Sequence, residues 1–225
     1  MAGKRYEELK KQLPQNPISP TEAVEWLKKN SASKFDATVE IHVRLSVDTE
    51  KSDQMVRSFV TLPSGSPKEK KIVVFTADAA IQKAATAAGA SAVGSTELID
   101  TIATEGGVDA DMAIATPDMM PKIAKIARIL GPKGLMPNPK TGTVTPDPVA
   151  AMKELMSGKI PFKMDTLGNI HEAMGKVSWE PDRLIKNTEV FLDAVAQARP
   201  AAVKGKLIKA AYLKTTMSPA IALAV

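Results

Sequence analysis

The chain has 225 residues and a net charge of +5, and 44% of its residues are hydrophobic while only 4% are aromatic. This length and apolar content allow two aliphatic cores and exclude a disordered tail. There is no cysteine, and the two histidines are His42 and His171. Disulfides and thiol chemistry are therefore excluded, and little material is left for a metal cluster or a catalytic triad. We expect no enzyme, no metal and no cofactor.

The sequence also gives no sign of a membrane segment. No apolar run approaches the ~18 residues that a membrane span requires. The first eleven residues mix lysine and arginine with Glu7 and Glu8, which is unlike a signal or transit peptide. These features predict a cytoplasmic protein with no membrane partner.

The basic excess is concentrated towards the C-terminal end. Residues 1–66 carry a net charge of +1, residues 67–158 a net charge of zero and residues 159–225 a net charge of +4. No acidic residue follows Asp193, whereas five basic residues do: Arg199, Lys204, Lys206, Lys209 and Lys214. This asymmetry indicates that a polyanionic partner would contact the end of the chain.

The N-terminal part shows helix and strand signals of an α+β domain. Ser19-Pro20-Thr21-Glu22 is a capping box that predicts a helix as far as about Asn30. Residues 38–45 alternate strictly between apolar and polar, which predicts a strand with one face on a core. The polar face of this strand carries Thr38, Glu40, His42 and Arg44. A second strand is predicted over 55–62, and residues 63–67 have the composition of a linker.

The middle of the chain has a different pattern. Short apolar strands are predicted at 72–75, 92–93 and 112–115, and helices at 79–88, 96–103, 118–130 and 148–156. Fully apolar strands that alternate with helices are typical of a parallel sheet covered on both faces. Gly131 is expected to end the helix over 118–130 in a left-handed conformation, because Pro132 follows it.

After residue 158 the first pattern returns. A strand is predicted over 168–179, an amphipathic helix over 181–198 and a basic strand over 207–217. This order favours a discontinuous α+β domain formed by residues 1–66 and 159–225, with residues 67–158 as an inserted α/β domain. Three separate units are the alternative, although the last 67 residues alone would form a thin core.

A nucleotide-dependent enzyme is the main rival interpretation of the middle pattern. A phosphate-binding glycine loop would read G-x-G-x-x-G or G-x-x-x-x-G-K-[ST], and neither motif is present. The turn after Phe75 contains Asp78, whose charge would repel a phosphate. The segment from Gly131 to Gly134 has the G-x-x-G form of a KH backbone clamp, but a helix stop is better supported by the local pattern.

Three smaller features leave alternatives open. Phe35 precedes the alternating strand, and it either closes the core or presents a platform to a sugar or base. His42 and His171 are expected to be ordinary surface histidines, with direct RNA contacts as the alternative. The three aspartates between residues 109 and 118 have a spacing that fits no metal loop, so solvated turn residues are expected there.

Residues 129–144 read ILGPKGLMPNPKTGTV and resemble the signature loop of the bacterial family of large-ribosomal-subunit protein one, the stalk protein. Other phrases of this family follow one another in the same order: Lys4-Arg5-Tyr6, Ser33-Lys34-Phe35-Asp36, Lys51-Ser52-Asp53-Gln54, Ala115-Thr116-Pro117-Asp118-Met119-Met120, Gly175-Lys176-Val177, Lys204-Gly205 and Thr215-Thr216-Met217. The resemblance covers almost the whole chain. It implies a domain that holds both termini and an inserted three-layer α/β domain.

The resemblance also implies a function. Such a protein would be a structural constituent of the large ribosomal subunit that binds large-subunit rRNA and forms the mobile stalk near the tRNA exit site. The implied partners are this rRNA, exit-site tRNA and the leader of the protein's own mRNA, whose translation it would repress. The chain would be a monomer when it is free of the ribosome. An RNA-binding regulator that is not assembled into ribosomes is the alternative.

The resemblance places the RNA-binding residues on the discontinuous domain. The implied set draws on both ends of the chain: Lys34, Phe35, Thr38, Glu40, Lys163, Asp165, His171, Thr215, Thr216 and Met217. Lysines suit phosphates, hydroxyls reach ribose 2′-OH groups, and Phe35 and Met217 can pack on a sugar or base. The chain departs from the family at Ser58 and Ser218, where glycine is usual, and at Met164 and Leu167, where polar residues are usual. Ser218 is expected to weaken or reshape the contact, since glycine allows closer backbone approach.

Overall fold

The computed structural model describes residues 4–31, 33–67, 70–203 and 205–224, without the side chains of Ser52 and Lys140. Lys204, one of the basic residues of the acid-free stretch, lies outside the described residues. The helices are α1 (Lys4–Lys11), α2 (Pro20–Asn30), α3 (Ala79–Ala87), α4 (Thr96–Glu105), α5 (Met120–Ile123), α6 (Ala127–Leu130), α7 (Pro148–Met156) and α8 (Pro181–Gln197). The strands are β1 (Thr38–Leu45), β2 (Arg57–Thr61), β3 (Ile72–Phe75), β4 (Ala92–Gly94), β5 (Met112–Ala115), β6 (Lys159–Lys163), β7 (Asn169–Lys176), β8 (Ile208–Thr215) and β9 (Ile221–Leu223).

The chain divides into two compact units. The first unit comprises Met1–Pro67 and Gly158–Val225, and the second comprises Lys68–Ser157. The first unit contains antiparallel sheets with helices, and the second contains a parallel sheet with helices. The predicted mixed class, α+β together with α/β, is therefore confirmed.

The first unit is built on a sheet that contains strands from both ends of the chain. Its strand order is β7-β1-β8-β9, so β1 from the N-terminal part lies between two strands from the C-terminal part. Both neighbours of β1 run antiparallel to it. A separate two-stranded sheet joins β2 to β6.

The core of the first unit follows from the alternation in β1 and from two amphipathic helices. Val39, Ile41, Val43 and Leu45 are buried on one face of β1, as the alternation predicts. Buried side chains of α2 and α8 belong to the same apolar cluster. Within this cluster the rings of Phe162 and Phe191 meet edge to face, with centroids 5.5 Å apart.

The second unit has three layers. Its parallel sheet has the strand order β4-β3-β5. Side chains that alternate along β3 point to opposite faces: Val73 and Phe75 join a core with α4, α5 and α6, while Ile72 and Val74 join a core with α3 and α7. Burial on both faces explains why the strands of this sheet are entirely apolar.

The helix predicted over 118–130 is not continuous. A 3-10 turn over Pro117–Met119 precedes α5, and a second 3-10 turn over Ala124–Ile126 separates α5 from α6. Pro121 has no N–H to donate to a preceding carbonyl, so a regular helix can start near it but cannot run through it.

Gly131 does not form the predicted left-handed cap, since its φ is −58°. The left-handed residue is Gly134, with a φ of 72°. The amide of Leu135 donates to the carbonyl of Leu130, and the amide of Gly134 donates to that of Gly131, each at 3.0 Å. These two bonds form a Schellman motif, so the helical turn ends three residues later than predicted.

Candidate nucleic-acid interface

The outer face of the four-stranded sheet is polar and combines residues from both ends of the chain. Glu40 of β1 lies opposite Lys214 of β8. His42 of β1 lies opposite His171 of β7 on one side and Tyr212 of β8 on the other. Directly opposed residues share a face of an antiparallel sheet, so these side chains form one continuous surface.

Ionic and imidazole contacts connect the strands across this face. The Nζ of Lys214 lies 3.1 Å from Oε2 of Glu40, and the Nδ1 atoms of His42 and His171 are 2.6 Å apart. Burial lowers the pKa of His42 below its usual value, and the charges of His171 and Lys214 add to this effect while Glu40 opposes it. The neutral form of His42 is therefore favoured on this face.

Asp165 forms the turn between β6 and β7. Its Oδ1 accepts hydrogen bonds from the amides of Leu167 and Asn169, at 2.9 and 2.7 Å, and its Oδ2 lies 3.3 Å from Nε2 of His171. Desolvation raises the pKa of this carboxyl, but the hydrogen bonds from Asn169, Leu167 and His171 outweigh it and lower the pKa to about 2. The carboxylate is thus charged and held beside the sheet.

One end of the sheet brings the segment before β1 against the turn after β8. The amide of Thr38 donates to Oγ1 of Thr216 at 3.2 Å, and the amide of Thr216 donates to the carbonyl of Thr38 at 3.1 Å. The Nζ of Lys176 donates to Oγ1 of Thr38 at 2.9 Å. Phe35 and Met217 stand on these two segments with 54% and 57% of their surfaces exposed. Two large apolar side chains are thus presented to solvent at a polar, hydrogen-bonded strand end.

Ser218, where the family usually has glycine, is used inside the turn. Its Oγ accepts from the amide of Thr215 at 2.8 Å and donates to the carbonyl of Pro219 at 3.0 Å. Its φ is not positive, so serine adopts this turn without left-handed strain. Its effect on a bound RNA stays a prediction.

The structure separates two predicted residues from this surface. Thr215 is only 2% exposed and faces the core side of β8. Lys163 is exposed but lies at the end of β6, opposite Arg57 in the two-stranded sheet. The other predicted residues lie on the outer face, in the adjoining loop or turn, or, for Asp165, beside His171.

Three of the four departures from the family lie away from this strand end. Met164 is buried in the core of the first unit, which explains an apolar residue there. Ser58 lies on β2 opposite Phe162. Leu167 is exposed in the Asp165 turn.

The outer face also carries residues outside the predicted set, among them His42, Arg44, Lys176, Tyr212 and Lys214. The alternation of β1 already placed His42 on the same face as Glu40, and the basic character of β8 pointed to Lys214. What the sequence did not reveal was the register between the strands. This register brings the residues together, and it cannot be read from any local stretch of a single sequence.

The second unit has a cavity of about 550 Å³ at the carboxyl ends of its parallel strands, lined by residues that include Thr76, Asp78, Thr116 and Asp118. Nucleotides bind at this position in many open α/β sheets. Here Oδ1 of Asp78 accepts a hydrogen bond from the amide of Ala80 at 2.8 Å, at the N-terminus of α3. An acidic cap occupies the place where a phosphate would bind, so the geometry disfavours a nucleotide.

The described residues contain no group of three or more histidine, cysteine, aspartate or glutamate side chains arranged to hold a metal ion. Among them, every helix is too short or too polar to cross a lipid bilayer.

The fold and this surface define a mixed α/β protein of two units, in which one sheet joins both ends of the chain. Comparison with known proteins gives the family. Residues 27–219 match the ribosomal protein L1p/L10e family. The large ribosomal subunit protein uL1 of Fervidobacterium nodosum is 48% identical over 221 residues, covering 98% of this chain and 94% of that protein. The protein of the same name from Streptomyces coelicolor is 50% identical over 206 residues, covering 91% and 84%.

The chain belongs to the ribosomal protein L1p/L10e family. The family expected from the loop over 129–144 and its companion phrases is thereby confirmed. This is a family of structural ribosomal proteins, so the prediction that the chain is not an enzyme is confirmed by its relatives.

Proposed function

We propose that this chain is a structural constituent of the large ribosomal subunit, where it binds large-subunit rRNA and forms the mobile stalk near the tRNA exit site. The observation that carries the proposal is the exposure of Phe35 and Met217 at one end of the sheet that joins both chain ends. The fold gains nothing in stability from presenting such side chains to water. Stacking or packing on a sugar or base accounts for their position.

The neighbouring polar groups suit the same ligand. Lys34 is exposed next to Phe35 and can neutralise a phosphate. The hydroxyl of Thr216 accepts from the amide of Thr38, and the hydroxyl of Thr38 accepts from Lys176, so both hydroxyls are held in place before RNA arrives. Pre-ordered contacts of this kind reduce the entropy that binding must overcome.

The unit boundaries support a division of roles. We propose that the first unit, which contains both ends and the whole net charge of +5, is the rRNA-binding domain. The second unit would then be an insertion that does not provide the primary contact. The net charge of zero over residues 67–158 fits this division, since phosphate contacts need cations.

The proposal is tested by measuring the affinity of the protein for a large-subunit rRNA segment. The double variant Thr216→Ala/Met217→Ala should bind about 5–150-fold more weakly, because one lost packing contact with a base is worth about 1–3 kcal/mol. Met156→Ala is the matched control, since this methionine is 49% exposed and lies in the second unit. Equal affinities for the double variant and the control would remove the strand end from the site.

The salt dependence of binding gives a second test of the same proposal. Each phosphate that a basic side chain neutralises should add about 0.7–0.9 to the slope of log affinity against log salt. Lys34→Ala should reduce this slope by roughly one such step. A complex whose affinity does not respond to salt would contradict phosphate binding.

Finer roles of the same protein are also proposed. In the stalk the chain would approach exit-site tRNA, and when free it would be a monomer that binds the leader of its own mRNA and represses translation. A reporter that carries this leader should lose expression when the wild-type chain is supplied, and regain it with Thr216→Ala/Met217→Ala. A free-standing RNA-binding regulator is the alternative, and failure to sediment with large subunits would favour it.

A further inference from the structure

The two histidines of the chain form a hydrogen-bonded pair on the outer face of the sheet. His42 and His171 lie directly opposite one another in the β1–β7 register, and their Nδ1 atoms are 2.6 Å apart. A contact of this length is a hydrogen bond, so one Nδ1 donates a proton and the other accepts it. The pair therefore holds a single proton between its two facing nitrogens.

The carboxylate of Asp165 decides which ring donates. The Nε2 of His171 lies 3.3 Å from Oδ2 of Asp165, and a charged carboxylate can only accept a hydrogen bond. His171 therefore carries its proton on Nε2 and accepts at Nδ1, which makes His42 the donor through Nδ1. The Nε2 of His42 then has no proton in the neutral pair. Its surroundings agree, since this atom is shielded from solvent and has no hydrogen-bond partner among the described residues.

The pair can take up one further proton without coming apart. That proton would go to Nε2 of His42, which lies 3.7 Å from Oε2 of Glu40, and the hydrogen bond between the Nδ1 atoms would be kept. A second proton would have to go to Nδ1 of His171, where it would meet the N–H of His42 head on. The pair thus has room for one extra proton and not for two.

The charges around the pair disfavour this extra proton in the free protein. Burial lowers the pKa of His42, and the charges of His171 and Lys214 act in the same direction, while Glu40 opposes them. The titratable and charged groups that face the pair come from three strands and one turn: Glu40 and Arg44 on β1, His171 on β7, Tyr212 and Lys214 on β8, and Asp165 in the turn before β7. The ammonium of Lys214 lies 3.1 Å from Glu40, so these two charges offset each other. A polyanion on this face would therefore reverse the balance and favour the charged imidazole.

We propose that rRNA binding to this face is coupled to the uptake of one proton by the His42–His171 pair, at Nε2 of His42. The inference rests on the proposed rRNA function and adds its regulation by pH. Phosphates favour the charged pair, and by linkage the charged pair binds rRNA more tightly. The affinity should therefore rise as the pH falls through the range in which imidazoles titrate, by at most about tenfold per pH unit for one proton.

Calorimetry of the wild-type chain with a large-subunit rRNA segment, in two buffers with different enthalpies of protonation, tests the coupling. Near neutral pH the two binding enthalpies should differ by the amount that corresponds to uptake of up to one proton. His42→Asn keeps a side-chain N–H donor but has no site for a further proton, so the buffer effect and the pH dependence should both disappear. Thr216→Ala/Met217→Ala is the matched control, which should bind more weakly at every pH and still take up the proton.

NMR of the imidazole nitrogens in the free wild-type chain gives a second measurement that needs no variant. At alkaline pH His42 should be protonated at Nδ1 and His171 at Nε2, and protonation of both rings at Nε2 would overturn the pair. Proton uptake that persists in His42→Asn would overturn its assignment to this residue. Wild-type rRNA binding that responds to neither pH nor buffer would overturn the coupling alone, whereas failure to bind rRNA at any pH would overturn the proposed function as well.

Discussion

At the scale of single residues, the exposure of Phe35 argues against a core role for its side chain. The sequence left open whether Phe35 closes the core or faces a ligand. The structure leaves 54% of its surface exposed, while the apolar residues of the adjacent strand face the core. Local sequence could not decide this, because the direction of a side chain in a loop depends on the segments packed around it.

Phe35→Ala should therefore reduce rRNA affinity with little effect on stability. We expect a loss of about tenfold, from one stacking contact worth about 1–3 kcal/mol. The free energy of unfolding should change by no more than about 0.5 kcal/mol, as for other surface substitutions. Phe59→Ala is the matched control, because Phe59 is 43% exposed on β2 and packs under Lys159. If both variants lose affinity equally, the contact is not specific to Phe35.

Asn187 shows the opposite case, a polar residue whose function is structural. Its side chain is fully buried on α8. Its Oδ1 accepts from the amide of Ser64 at 3.0 Å, and its Nδ2 donates to the carbonyl of Met174 at 2.8 Å. The side chain thus ties the segment after β2 to α8 and β7.

Asn187→Ala should destabilise the first unit by roughly 2–4 kcal/mol, because two buried backbone groups lose their partners. Chemical denaturation of this variant and of a control variant measures the loss of stability. Thr188→Val is the control: Thr188 is also fully buried, but among the described residues its hydroxyl donates only to the carbonyl of Leu184 within the same helix. Comparable losses in the two variants would mean that general packing, rather than the bridge, explains the effect.

At the scale of elements, the sequence correctly predicts the helices and strands whose local sequence pattern agrees with the way they pack in the fold. The alternation of β1 and the capping box of α2 are both found, and the box is complete. The elements that were missed have weak local signals. None of the residues of α1, all of which the structure describes, is buried. Strand β6 contains Pro161, which is tolerated because β6 pairs on one side with β2 alone.

The capping box gives a prediction for α2. The Oγ of Ser19 accepts from the amide of Glu22, and the amide of Ser19 donates to Oε2 of Glu22 at 3.1 Å. Ser19→Ala should cost about 1 kcal/mol and increase hydrogen exchange in the first turn of α2. Ser95→Ala is the control, since Ser95 precedes α4 without a side-chain capping bond among the described residues. Equal protection in wild type and Ser19→Ala would show that packing alone sets the start of α2.

At the scale of the whole molecule, strand pairing joins what the sequence keeps apart. Composition and resemblance indicated that the two ends of the chain belong together. In the structure, β1 from the N-terminal part pairs with β7 and β8 from the C-terminal part. The facing positions, such as His42 with His171, could not be read from the sequence, because register is set by packing across the sheet.

The inserted segment should be removable. The amide of Leu62 donates to the carbonyl of Gly158 at 3.0 Å, so the chain leaves the first unit and re-enters it at neighbouring points. A variant that joins Pro67 directly to Gly158 should fold, as judged by circular dichroism and cooperative unfolding, and should keep most of its rRNA affinity. If this variant folds but no longer binds rRNA, the primary contact with rRNA lies in the second unit.

The most direct measurement is photochemical cross-linking of the wild-type chain to large-subunit rRNA, with the cross-linked peptides identified by mass spectrometry. A surface shared by both chain ends predicts cross-links in two places, the segment around Phe35 and the turn around Met217. Both should be lost together when unlabelled rRNA competes. Cross-links confined to residues 68–157, or to only one end of the chain, would contradict the account.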